Sequence, residues 1–191
     1  MTLLDGKLFS RRQVLTGLSA VTLTGALLGS PALPVQARAP AGKVRRLKLL
    51  RYHGGARLTA DYYRNGAYQT AALKQINRLC RDQLQNEATA MDPALIDYMY
   101  EVCRAINGKA TVHIISAYRT AKTNMMLRGK STNVSRKSLH MLGRAIDIRI
   151  PPHAAEEVAE AARSLHMGGV GLYRKSGFVH LDTGPARFWT R

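Results

Sequence analysis

Acidic side chains are scarce in this chain of 191 residues: 12 Asp and Glu stand against 29 Lys and Arg, a formal net charge of +17. Between Glu101 and Glu156 the sole acid is Asp147. Such a field attracts polyanions, whether nucleic acid, anionic lipid or an acidic wall polymer, and charge alone does not choose among them. Cysteine is rarer still. Cys80 and Cys103 are the only two and form no C-x-x-C pair, which excludes a thiolate zinc site. Internal repeats and low-complexity tracts are absent, so the length reads as one domain able to bury a core. Long uninterrupted apolar runs are absent too. The most apolar stretch, after Arg12, is broken by Gly17, Gly25, Gly29, Pro31 and Pro34, which weakens a transmembrane reading.

What is present begins with an address. Arg11-Arg12 opens a stretch free of charge up to Arg38, closing on Val35-Gln36-Ala37, a small-residue cleavage pattern. This is the form of a twin-arginine export signal over residues 1–37, ahead of a single domain over 38–191. The alternative is an uncleaved anchor. Removal of 1–37 takes away Lys7, Arg11, Arg12 and Asp5 and leaves a charge of +15. The twin-arginine route carries folded proteins, so the expected working place is the periplasm. Nucleic acid is then not an expected partner, and no nucleic-acid-binding motif is present. No stable membrane insertion is expected after cleavage, and a monomer is expected. With 46% hydrophobic residues the chain is globular rather than disordered.

Periodicity gives an α+β order. Two strands flank the turn His53-Gly54-Gly55, in VRRLKLLRY and ARLTADYY. Helices are expected over 69–84 and 92–107, the second capped by Asp92 with Pro93 in the first position. TVHIIS (111–116) reads as a strand. Residues 120–137 read as a helical turn or two followed by a polar, basic loop. RAIDIRI (144–150) is a strand stopped by Pro151-Pro152, and 153–165 is a helix rich in Ala and Glu. Cys80 and Cys103 lie on apolar helix stripes, where they either pair as a disulfide or pack as buried thiols.

Strand alternation brings chemistry to one face. In AIDIRI, Ile146, Ile148 and Ile150 point one way and Ala145, Asp147 and Arg149 the other. In GFVHLD, Val179 and Leu181 oppose Phe178, His180 and Asp182. Two strands of one sheet would then expose Asp147, His180 and Asp182 together, with His140 folding over them from the preceding turn. Two imidazoles and a carboxylate with a fourth position open are the composition of a catalytic zinc centre. His53, His113, His153 and His166 are expected to be structural.

The segments ISAYRTAKTN, SLHMLGRAIDIRI and GGVGLYRKSGFVHLDTGPARFW, with the leader, resemble the exported zinc murein endopeptidases. These are related to the D-Ala-D-Ala carboxypeptidases and share the Hedgehog/D-Ala-D-Ala peptidase fold. The motifs S-x-x-R, S-x-H-x-x-G-x-A-x-D and F-V-H-x-D-T-G stand in the family's order. The resemblance implies a small antiparallel sheet with helices on one face and a zinc cleft on the other. It implies Zn2+ as cofactor, His140, Asp147 and His180 as ligands, and Arg119 as the group that steadies a substrate carbonyl or carboxylate, with Ser116 supporting that segment.

The chain also departs from the pattern. Ala117 replaces the usual glycine of S-G-Y-R, and His53-Gly54-Gly55-Ala56 replaces H-T-G-E. The related carboxypeptidases carry a Glu three residues before the last histidine, where this chain has Gly177. Asp182 is then either the general base or a carboxylate that orients a ligating imidazole. The basic residues around the site, among them Lys122, Arg128, Lys130, Arg136, Lys137, Arg144 and Arg149, suit the carboxylates of peptidoglycan stem peptides. The implied activity is hydrolysis of peptide bonds in peptidoglycan, foremost in cross-links. A D-Ala carboxypeptidase and a non-catalytic wall-binding module are the alternatives.

Overall fold

In the computed structural model, which describes residues 44–106 and 109–191, the chain builds one mixed sheet of eight strands. A hairpin of β1 (Arg45–Arg51) and β2 (Arg57–Arg64), extended by the short β3 (Ala67–Tyr68), forms one edge. Helices α1 (Thr70–Leu79) and α2 (Pro93–Ile106) then cross to β4 (Thr111–Ser116), which lies parallel to β1. After α3 (Ala121–Lys130) and a 3-10 turn (Leu139–Leu142) come β5 (Ala145–Arg149), α4 (Ala155–Ser164), β6 (Gly169–Tyr173), β7 (Phe178–Asp182) and β8 (Arg187–Thr190). The sheet order is β3-β2-β1-β4-β5-β7-β6-β8.

The small antiparallel sheet expected from the resemblance is therefore larger and mixed. A helical crossover returns the chain in the same direction, which makes β1 and β4 parallel. The loop after β7 does the same for β8 beside β6.

One hydrophobic core lies between the sheet and the helices. Leu47, Leu49, Val112, Ile114, Ile146, Ile148, Val179 and Leu181 project from alternate strand positions onto Leu95, Ile96, Met99 and Val102 of α2 and Val158 and Ala162 of α4. Tyr98 is fully buried yet satisfied, its hydroxyl donating to the Ala162 carbonyl at 2.9 Å and tying α2 to α4. Cys80 and Cys103 are buried free thiols, and burial pushes both up to about 12, so they pack as small hydrophobes.

Two helices differ from their sequence reading. The first ends at Leu79 rather than 84, because the Asp82 side chain offers the backbone another partner. Its Oδ1 accepts from the N–H groups of Leu84 and Gln85, closing a turn in place of helix. The helix after Thr120 is longer than two turns, running to Lys130 behind an N-cap in which Thr120 Oγ1 accepts from the Thr123 N–H. Asp92 caps α2 as its type suggests, accepting from the Ala94 N–H at 2.9 Å. The signal proposed over 1–37 lies outside the described residues; among those described, no helix is long and apolar enough to cross a membrane.

Candidate metal centre and its cleft

Asp147 and His180 stand directly opposite each other on the antiparallel pair β5 and β7. Their side chains leave the sheet on the face away from the helices, as the alternation requires. His140 reaches the same point from the 3-10 turn. That turn ends at Gly143, whose φ of +66° is left-handed, and a β-carbon there would run into the Ala90 carbonyl. Its cap N–H returns to the His140 carbonyl, so the glycine holds the turn that delivers the imidazole.

Three donor atoms meet. His140 Nε2 is 3.2 Å from His180 Nδ1 and 3.3 Å from Asp147 Oδ1, and His180 Nδ1 is 2.9 Å from the same oxygen. A tetrahedral ion with bonds of about 2.1 Å sets its ligands about 3.4 Å apart, so the spacing suits one small cation. The far nitrogens fix the tautomers. His140 Nδ1 lies 2.7 Å from the Ala117 carbonyl, which can only accept, so Nδ1 carries the hydrogen and Nε2 offers a lone pair. His180 Nε2 lies 2.9 Å from Asp182 Oδ2, which leaves Nδ1 to the centre. Both rings are thus oriented by outer partners in the manner of metal-ligating histidines. The residues fit the group.

The charges agree with this. Burial would push the Asp147 carboxyl up, but His140, His180 and Arg119 outweigh it and hold it well below the usual carboxylate range. Burial pushes His140 down, further than Asp147 draws it back. Burial opposes a charge on His180, yet the bonds to Asp147 and Asp182 raise it to about 9. A cation held here would compete with a proton for this ring.

Asp182 is fully buried beneath His180, where it borders the cleft. Its Oδ2 accepts from His180 Nε2 and Arg187 Nη2, its Oδ1 from Arg187 Nη1 and the Gly184 N–H. Burial alone would raise this carboxyl; His180, Arg187 and Gly184 together hold it far below the usual range. Arg187 lies over Trp189 at 5.0 Å, and Trp189 flanks His180 at 5.3 Å. A β-carbon on Gly171 would collide with that indole, so the glycine is what lets Trp189 approach. Sequence reasoning assigned no role to Arg187 or Trp189. The alternation in Arg187–Thr190 puts the two on one face, but nothing marked those residues as a strand beside β6.

Arg119 is brought in by an irregularity. Between β4 and β5, Ile114 pairs with Ile148 and Ser116 with Asp147, so Ile115 is an extra residue in β4. This bulge sets Ser116 beside Asp147. Ser116 Oγ accepts from Arg119 Nε at 2.7 Å, and Arg119 Nη2 donates to Asp147 Oδ2. The segment is pinned elsewhere by buried Asp82, whose Oδ2 accepts from the Thr120 N–H and hydroxyl, and by Arg119 N–H donating to the His140 carbonyl. Asp82 carried no recognisable signal in the sequence.

Above the triad opens a cleft of about 430 Å³. The polar loop after α3 forms one wall, Tyr173 and Phe178 another, and Arg119, Lys137, Arg187 and Arg191 supply positive charge. Asp147 and Asp182 are its only lining acids among the described residues, and both are fully engaged. The other basic residues near the site divide. Arg144 is bound to Thr183 and Asp92, and Arg149 donates to the Ser176 carbonyl and lies over Tyr52. His153 pairs with Glu157, and neither it nor His53, His113 or His166 joins the triad.

Comparison with known proteins gives concordant results. The family described as peptidoglycan L,D-endopeptidase MepK matches residues 39–189. The peptidoglycan L,D-endopeptidase MepK of Escherichia coli (strain K12) is 36% identical over 183 residues, 96% of this chain and 99% of that protein. The probable peptidoglycan L,D-endopeptidase MepK of Haemophilus influenzae is 37% identical over 172 residues, 88% of this chain and 92% of that protein. No solved structure matches.

Proposed function

The chain belongs to the peptidoglycan L,D-endopeptidase MepK family, and on that premise we propose that it is a zinc peptidase hydrolysing cross-links of peptidoglycan. The observation that carries the metal reading is the convergence of two oriented imidazole nitrogens on one buried carboxylate oxygen at the floor of a basic cleft. His140, Asp147 and His180 would hold the ion. Bound zinc supplies a Lewis acid that polarises a scissile carbonyl and activates water near neutral pH.

The chain's own groups do the rest. Arg119 is held at the rim by Ser116 and Asp147 and keeps further N–H groups for a substrate carbonyl or carboxylate as negative charge develops. Asp182 acts as a positioning residue for His180 rather than as a base, since all its acceptor directions are taken and its proton affinity is very low. Lys137 and Arg191 bias the cleft toward anionic stem peptides.

The test combines metal content with muropeptide analysis. Protein purified without chelator should carry about one zinc per chain and convert cross-linked muropeptides of purified sacculi into monomers. A chelator should stop the reaction, and added zinc should restore it. Unchanged sacculi would favour a wall-binding module, and full activity without metal would end the zinc assignment.

We assign residues 1–37 as a twin-arginine signal, which puts a single mature domain in the periplasm, and we propose that this domain acts as a monomer. Arg11→Lys with Arg12→Lys should leave the protein in the cytoplasm with its leader attached, because a receptor reads the arginine pair itself. Cell fractionation checks this, and normal export of the double variant would overturn the route.

A further inference from the structure

Arg119 stands at the rim of the cleft, yet the backbone that carries it has no regular structure of its own. Residues 117–120 belong to neither helix nor strand. Their near end is fixed by the bulge in β4 and by the Ala117 carbonyl, which accepts from His140 Nδ1. Their far end is held from the exit of α1, 38 residues earlier in the chain.

That far anchor is compact. The Tyr118 N–H donates to the Cys80 carbonyl at 3.0 Å. Two residues on, Asp82 is 3% exposed, and its hydrogen bonds all come from neutral donors. Its Oδ2 accepts from the Thr120 N–H at 2.8 Å and the Thr120 hydroxyl at 2.9 Å. Its Oδ1 accepts from the N–H groups of Leu84 at 2.9 Å and Gln85 at 3.3 Å. A buried carboxylate with no cation opposite is costly unless such donors satisfy it. Burial would raise this carboxyl, but the surrounding hydroxyl and N–H donors outweigh it and keep it ionised.

The anchor is itself tied to the sheet. Arg51, at the end of β1, donates from Nη2 to the carbonyls of Arg78 and Leu79, which the last turn of α1 leaves without helical partners. Arg51 also lies beside Ile114 on β4, the strand that leads to Arg119. The exit of α1 is therefore braced against the same part of the sheet that launches the Arg119 segment, and Asp82 closes the loop between them.

We propose that Asp82 is a positioning residue for hydrolysis, fixing the Thr120 backbone and through it the direction in which Arg119 reaches the substrate. The assignment rests on the peptidase reading and extends it to a residue that lines no part of the cleft above the triad. Misplacing a reacting group by about 1 Å costs on the order of 10²-fold in rate, so a buried carboxylate behind Arg119 has leverage on the chemistry without touching it.

Asp82→Asn keeps the shape but turns one acceptor into a donor. Whichever way the amide sits, its NH2 group meets either the Thr120 N–H or the N–H groups of Leu84 and Gln85. Zinc content should stay near one per chain and KM for cross-linked muropeptide dimers should change less than about threefold, while kcat falls about 10- to 100-fold. The Arg119 Nε–H resonance, identified by its loss in Arg119→Lys, should exchange with solvent about tenfold faster or more, because its bond to Ser116 is no longer held. In an Arg119→Ala background, Asp82→Asn should cost less than about threefold further, since the group it positions is gone. Independent, multiplying losses would overturn the proposal, as would native kcat or unchanged exchange in a folded Asp82→Asn. If that variant does not fold, Thr120→Val gives up only the hydroxyl's bonds and should lower kcat in the same non-additive way; native kcat there would count equally against it. If no dimer is cleaved by the unaltered protein but the Arg119 Nε–H still loosens in Asp82→Asn, the positioning stands and the peptidase reading fails.

Discussion

Replacing Asp147 with Ala is expected to strip the site of metal and to lower hydrolysis of cross-linked muropeptides by more than about 10³-fold, the scale of losing several kcal/mol of Lewis-acid stabilisation. Asp147 is the point where the site's charges meet. Its Oδ1 faces both imidazoles and its Oδ2 accepts from Arg119, so removing it leaves two histidines as ligands and a guanidinium with only Ser116. Two neutral donors hold zinc far more weakly than three that include a carboxylate. Asp147→Asn keeps the shape but offers a neutral, poorer oxygen, and should also lose much of its metal. Zinc content and activity are to be measured on the same preparations, with circular dichroism as a check of folding, because truncating one partner of a buried ion pair also destabilises. Full zinc in a folded Asp147→Ala would break the proposed site.

The second large effect separates two roles for Asp182. As the positioning residue of His180, its change to Asn should weaken zinc affinity about 10- to 100-fold, with a parallel loss of activity. An amide has one acceptor oxygen where His180, Arg187 and Gly184 now share two, so either the imidazole or the guanidinium loses its partner. The His180 ring is then no longer fixed with Nδ1 toward the centre. A general base would behave differently: zinc would stay near stoichiometric while the rate fell by about 10²–10⁴-fold. Arg187→Met provides the matching test, since it leaves the Asp182 carboxyl in place but unsupported, and zinc affinity should fall in the same direction. Unchanged affinity in both variants would return Asp182 to the role of base.

Much of this site is legible in the sequence, for a definite reason. A strand must send successive side chains to opposite faces, so the alternation in AIDIRI and GFVHLD was enough to put Asp147 and His180 on one face and the isoleucines on the other. The lone acid in a long basic stretch marked Asp147, and Gly143 followed His140 where a left-handed turn needs it. These are local properties, carried by a few neighbouring residues.

The remaining features depend on pairings between residues far apart in the chain. Period two tells which face a residue takes but not which strand lies beside it, so the parallel placement of β4 and β8 could not be read. Asp182 has the alternation of a cleft residue; what buries it is Arg187 arriving on β8 and closing over both of its oxygens. The extra residue Ile115, which aims Arg119 through Ser116, exists only in the register of β4 against β5. The sequence by itself determined which residue types face the cleft. Tertiary structure alone decided which donors and acceptors were already satisfied, because hydrogen bonds are settled by which distant groups come within about 3 Å of one another.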